Sequence, residues 1–88
     1  MAWTVELTEN ARRQLRRLDQ QVRRRILRFL RDRIATNEDP RRLGHALHGR
    51  YSGLWRYRVG DYRIVCRIED DRLVVLVLGL GHRSDVYD

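Results

Sequence analysis

Between Leu54 and Tyr87 the sequence LWRYRVGDYRIVCRIEDDRLVVLVLGLGHRSDVY sets Arg56, Arg58, Arg63 and Arg67 at intervals that an extended chain can turn to one side. His82, Arg83 and Tyr87 follow in a basic tail. A guanidinium makes planar, bidentate contacts with phosphate oxygens and stays charged at physiological pH. Several of them on one surface, with a phenol a few residues from another arginine, suit the handling of phosphodiesters. The usual hydrolytic sets are missing from the sequence: no Ser-His-Asp arrangement, phosphate-cradling glycine loop or metal cluster can be read in it. His45 and His48 lack the third and fourth ligands that a metal site requires. The chemistry expected is therefore metal-free and without a cofactor.

Such chemistry needs strands to present it. Leu54 to Val59 and Tyr62 to Ile68 flank Gly60-Asp61, a two-residue hairpin turn with Gly at its first position. That turn pairs Val59 with Tyr62, Arg58 with Arg63, Tyr57 with Ile64 and Trp55 with Cys66. Parity then sends Trp55, Tyr57, Val59, Tyr62, Ile64, Cys66 and Ile68 to one face and Arg56, Arg58, Arg63 and Arg67 to the other. Directly opposed arginines cost stability, so a sheet that keeps Arg58 against Arg63 is expected to bind an anion with them. The plainer reading is that they flare to solvent or pair with Asp61, Glu69 or Asp85; Arg67, beside Glu69, reads as structural. A second turn at Asp70-Asp71 leads into Leu73 to Leu80, apolar on both faces as a central strand is, with Val74, Leu76 and Leu78 flooring the arginine face. Counted from Leu76, His82 would share that face. Arg83 and Tyr87 reach it only if the region of Gly79 to Gly81 inserts one residue, and a bulge is expected there.

The rest of the chain reads as scaffold. Trp3 to Leu7 alternates like a half-buried strand, and Thr8 is placed to cap a helix carrying Ala11, Leu15 and Leu18. After a break at Asp19-Gln20, the residues Val22, Ile26, Phe29, Leu30 and Ile34 form one stripe on a second helix that ends before Asn37-Glu38-Asp39-Pro40. Arg23, Arg24, Arg25, Arg28, Arg31 and Arg33 fill the remaining surface, either as a solvated face or as an electrostatic grip on RNA or an acidic partner. Arg41 to Gly53 reads as a connecting loop. The 88 residues make one domain spanning 1–88, large enough for a single core. Nineteen basic residues, all arginine, against twelve acidic ones give a formal charge of +7 and favour a polyanionic partner. No apolar run is long enough to cross a bilayer and no signal peptide is evident, so a cytoplasmic location is expected. The lone Cys66, among Ile64, Val65 and Ile68, reads as a small buried hydrophobe.

The β-α-α-β-β-β order, the arginine-rich helical hairpin, WRYRVGDYRIVCRI, the acidic turn and the terminal GHRSDVY together resemble the RelE/ParE toxin superfamily of toxin–antitoxin systems, in its RelE branch. The resemblance covers nearly the whole chain. It implies an α+β fold: an N-terminal strand, a helical hairpin and a three-stranded antiparallel meander, with the helices on one face of the sheet. It also implies a ribosome-dependent endoribonuclease that cuts mRNA in the decoding site by attack of the RNA's own 2′-hydroxyl. The implied partners are the ribosome, mRNA and a cognate RelB-like antitoxin, with DNA reached only through the antitoxin and no membrane.

Carried over by motif, Arg56 takes the place of a basic catalytic residue, and Arg63, the arginine of GDYR, that of the group on the scissile phosphate. Arg83 matches the basic residue of the terminal motif and Tyr87 its proton-transfer residue. An arginine is a poor acid, its pKa exceeding ~12, so Arg83 is expected to stabilise transition-state charge. His82 is the better acid by pKa, but it faces away from Arg83 in an extended chain. Some RelE-like toxins carry a lysine where this chain has Leu54, and Arg58, Arg50 and His82 are the candidates for the remaining RNA contacts. The chain ends at Asp88, without the C-terminal helix that some members add. Two other readings compete: a ParE-like inhibitor of DNA gyrase, and a non-catalytic nucleic-acid or partner-binding module.

Overall fold

The computed structural model describes residues 2–82. Strand β1, Thr4–Leu7, runs into helix α1, Glu9–Arg16, whose first turn is closed by the Thr8 hydroxyl accepting from Ala11 N at 3.1 Å. Asp19 caps helix α2, Gln20–Phe29, by accepting from Gln21 N at 3.0 Å. The apolar stripe continues past α2 through a π-helical turn, Leu30–Ile34, where Ala35 N donates to Leu30 O. Widening the helix by one residue per turn there keeps both Leu30 and Ile34 buried.

Five strands form one sheet in the order β1-β5-β4-β3-β2, where β2 is His45–Ala46, β3 Trp55–Val59, β4 Tyr62–Glu69 and β5 Val74–His82. Strand β1 lies parallel to β5 and every other pair is antiparallel. This is the expected α+β arrangement with one addition: the stretch from Arg41 to Gly53 is not all loop. It holds 3-10 turns at Pro40–Arg42 and Gly49–Tyr51 and the short β2, which pairs with Trp55 and Arg56. Gly44, at φ +78°, brings this segment so close to β3 that a Cβ would overlap the Arg56 carbonyl and the Trp55 and Tyr57 rings. The Trp55 indole donates to Leu43 O at 2.7 Å and pins it.

The β3–β4 hairpin has the expected register, with Val59 opposite Tyr62, Arg58 opposite Arg63, Tyr57 opposite Ile64 and Trp55 opposite Cys66. Gly60 takes φ +59°, as the first turn position requires. The next turn is longer than Asp70-Asp71: Glu69 faces Val74, so Asp70 to Leu73 all lie in the loop. Because the loop gains residues in pairs, parity is unchanged, and Arg67 faces Leu76 in place of Val74 on the same side of the sheet.

Farther along β5 the register slips. Cys66 faces Val77 but Val65 faces Gly79, leaving Leu78 as the extra residue of a β-bulge one position before the expected stretch. Helix α1 holds this bulge. The Leu78 carbonyl accepts from Thr8 Oγ1 at 3.1 Å and Asn10 Nδ2 at 3.0 Å, and Leu80 N donates to Gln14 Oε1 at 2.7 Å. Backbone groups on the stretch of β5 beyond β1 are thus satisfied by helix side chains.

Both helices pack on one face. Ala11, Leu15, Ile26, Leu30 and Ile34 meet Tyr57, Val59, Ile64, Cys66, Val75, Val77 and Leu80 in a single buried cluster. Tyr57 is the largest fully buried side chain, and its hydroxyl donates to Pro40 O at 2.7 Å.

Candidate functional site: the arginine face

The opposite face of the sheet carries two cross-strand rows, Arg58–Arg63–Gly81 and Arg56–Val65–Gly79, with Arg67 beside Leu76 farther along. Neighbouring strands lie about 4.8 Å apart, so the side chains of one row share a small patch of surface. Arg56 and Arg63 are half-buried while Arg58 and Arg67 are exposed. The Nε of Arg56 is screened from solvent and makes no hydrogen bond among the described residues. A desolvated donor without an acceptor is unfavourable, and a phosphate oxygen would relieve it.

Acidic side chains gather at the far end of the sheet. Glu69 accepts from Arg72 at 2.6 Å and from Arg67 at 3.0 Å, and these hydrogen bonds, Arg72's the stronger, hold its carboxyl below the ordinary range. Asp70 is gripped by both terminal nitrogens of Arg41 at 2.8 Å. Arg67 is thus structural, as its neighbour suggested. Arg58 has no ion pair among the described residues. It also borders a groove of about 340 Å³ with Arg25, Arg28 and Phe29.

Arg50 lies with its guanidinium carbon 5.4 Å from the centre of the Tyr51 ring, in the turn that leads into β3. Tyr51 and Leu54 in turn border a cleft of about 290 Å³ over Val65, Gly79 and Gly81. Val65 is only 9 % exposed on a face otherwise rich in arginine.

The bulge redirects the end of β5. His82 falls opposite Tyr62, with the two rings edge-on at 5.7 Å, and so belongs to the helix side of the sheet. The count from Leu76 that would set His82 on the arginine face is corrected, since the extra residue at Leu78 inverts its parity. Arg83 and Tyr87 lie outside the described residues. His45, which the sequence brought forward as half of an incomplete metal pair, sits in β2 directly opposite Arg56, on the arginine face. A two-residue strand shows no alternation, so only the ladder reveals this placement.

Two other reactive groups take no part. Burial pushes the Cys66 thiol and the Tyr57 phenol well above their ordinary pKa values, leaving both neutral. Among the described residues no three His, Cys, Asp or Glu side chains gather at metal-binding distance, and no helix is long and apolar enough to cross a membrane.

The model of one protein family, described as ParE toxin of type II toxin–antitoxin system, matches residues 5–87. The chain is 32% identical to toxin RelG of Mycobacterium tuberculosis over 87 residues, covering 99% of this chain and 98% of that protein. It is 34% identical to toxin RelE of the same organism over 83 residues, covering 94% and 84% respectively. In structure it is similar to the crystal structure of the toxin–antitoxin complex RelBE2 from Mycobacterium tuberculosis. There the TM-score is 0.86 at 30% identity, over 97% of this chain and 95% of that one.

Proposed function

This chain belongs to the RelE/ParE superfamily of type II toxins, and on that premise we propose that it is a ribosome-dependent endoribonuclease that cuts mRNA in the decoding site. The observation that carries the reading is the arginine face, where half-buried Arg56 and Arg63 lie on adjacent strands, Arg63 directly opposite Arg58, away from the acidic end of the sheet. In the proposed reaction the RNA's 2′-oxygen attacks the adjacent phosphorus and the bond from phosphorus to the 5′-oxygen breaks. The 2′-proton passes to Tyr87 as base and solvent water protonates the departing 5′-oxygen, the phenol returning its proton to the hydroxide so formed, which leaves a 2′,3′-cyclic phosphate and a 5′-hydroxyl. Arg63 binds the scissile phosphate, and Arg56 and Arg83 stabilise the charge that builds on its oxygens. Clustered guanidiniums favour the phenolate of Tyr87, whose unperturbed pKa is ~10. They supply charge that a metal ion supplies in other nucleases, so the reaction proposed is metal-free. Arg58 and Arg50 hold flanking phosphates.

The relative solved as a toxin–antitoxin complex supports a RelB-like antitoxin as partner, with DNA reached through that antitoxin. The site of action is the cytoplasm, where ribosomes translate. Mapping mRNA 5′ ends after induction tests the reading: cuts in register with codons, dependent on translation, are expected, and an unaltered 5′-end map rejects it. The matching family model is described for ParE toxins, which favours a gyrase inhibitor as the second reading. That reading predicts altered plasmid supercoiling with mRNA intact.

A further inference from the structure

Strand β1 ends where β5 bulges. Leu7 is the last residue of β1 to pair, opposite Val77, and Thr8 N donates to Val77 O at 3.0 Å before the chain enters α1. Beyond that point polar side chains at the start of α1 take the place of a neighbouring strand. Thr8 Oγ1 and Asn10 Nδ2 both donate to Leu78 O, and Gln14 Oε1 accepts from Leu80 N. These backbone groups bracket Gly79. A Cβ there would lie 3.2 Å from Gln14 Oε1 and 3.3 Å from Asn10 Nδ2, so the glycine is what lets both amides reach the strand. Asn10 is exposed and Gln14 half-buried, so neither is placed to fill the core.

Two ways of counting β5 compete. A strand continued regularly from Cys66 opposite Val77 would set Ile64 against Gly79 and Arg63 against Leu80. Both glycines would then fall on the helix side and Leu80 on the arginine face. In the structure Ile64 faces Leu80 and Val65 faces Gly79, so Leu80 is 2 % exposed in the core with Val77, and the glycines stand in the rows of Arg56 and Arg58. A bulge interrupts backbone pairing, and the side chains of α1 restore what is lost.

We propose that Asn10 and Gln14 are positioning residues for the reaction: by holding the bulge at Leu78 they fix which residues of β5, and of the chain after it, stand on the arginine face. This assignment rests on the endoribonuclease reading, which gives Arg83 charge stabilisation and Tyr87 proton transfer. Both lie outside the described residues, and the bulge is the last described feature that sets the count leading to them. A helix far from the phosphate in sequence thereby governs the register on which the chemistry depends.

The test compares the double variant Asn10→Leu with Gln14→Met, which keeps side-chain size and removes the hydrogen-bonding atoms, with Gln14→Glu, which keeps an acceptor for Leu80 N. Register is read by NMR from the cross-strand backbone contact of Ile64. Its partner should be Leu80 in the parent and in Gln14→Glu, and Gly79 in the double variant. Rate is read with purified protein on ribosomes programmed with mRNA. The double variant should lose on the order of a hundredfold in kcat with KM little changed, because Arg56 and Arg58 on β3 keep their places. Gln14→Glu should keep the parent's rate. An unchanged register in the double variant overturns the clamp, and a changed register with kcat intact overturns its part in the reaction. If the double variant does not fold, Gln14→Met alone is read in the same way, and a Gln14→Glu protein without the Ile64–Leu80 contact rejects the clamp by itself. Parent protein that cuts no mRNA rejects the endoribonuclease reading and the positioning role with it, while the register measurement still decides whether α1 holds the bulge.

Discussion

Arg56 and Arg63 lie half-buried in the sheet, where desolvating a guanidinium is costly, and the Nε of Arg56 makes no hydrogen bond among the described residues. Their worth to stability and to activity should therefore separate. Arg63→Ala removes a like charge from opposite Arg58, which offsets part of any stability lost with the side chain, and is expected to cost activity far more than thermal stability. Losing one preorganised charge-stabilising group costs ~3 kcal/mol of barrier, about a hundredfold in rate. Cleavage on programmed ribosomes and the growth arrest it causes should fall accordingly. Tyr87→Phe should lose as much, with antitoxin binding kept in both. If either variant is as toxic as the parent, that residue's role is wrong. The Tyr57 phenol offers a control: buried, held neutral and bonded to Pro40, it lies on the helix side, and Tyr57→Phe is expected to leave cleavage by the folded protein unchanged.

At the scale of elements, what the sequence made legible is what period and parity encode. The hairpin around Gly60-Asp61 gave every cross-strand pair correctly, because its two-residue turn leaves one register open and alternation reports the face of each residue. The glycines after Leu78 announced a bulge for the same reason: a regular strand could not reconcile the tail with the arginine face. Hidden were features set by tertiary contact alone. The clamp of α1 on Leu78 and Leu80 joins residues about seventy positions apart, and β2 exists only because Gly44 fits against β3. Gly44→Ala should accordingly detach β2 and His45 from Arg56. It combines a strained φ with overlap against backbone, and a loss of roughly 2 kcal/mol or more is expected in urea denaturation. A loss within ±0.5 kcal/mol would mean that β2 adjusts around the new methyl. The Arg41–Asp70 pair links another hidden element, the Pro40–Arg42 turn, to the β4–β5 loop. Hydrogen bonding to Arg41 lowers the Asp70 carboxyl from its ordinary 3.8. A depressed folded pKa contributes stability that is whole above 3.8 and is lost as pH falls through the lower folded value. Asp70→Asn should therefore narrow the difference between urea midpoints at pH 7 and pH 3. An identical difference in both proteins would show that the pair does not couple to folding.

Taken whole, the molecule wears arginine on two surfaces that meet at the groove where Arg58 borders Arg25 and Arg28. One set lines the open face; the other, on α2, covers the far side of the helical layer. A formal charge of +7 attracts any polyanion, so net charge cannot tell which surface holds RNA. Salt can. Each phosphate neutralised on binding releases condensed counterions, and the slope of log affinity against log salt steepens by about 0.7 to 0.9 per contact. Arg58 belongs to the sheet face and has no ion pair among the described residues, so Arg58→Gln should flatten that slope by about one such step for ribosomes carrying mRNA. Arg24 is exposed on α2, and Arg24→Gln should leave the slope as it was, because an RNA strand seated on the sheet does not reach around the core. The reverse outcome, a slope that responds to Arg24 and ignores Arg58, would transfer the RNA to the helical hairpin and leave the arginine face without its substrate.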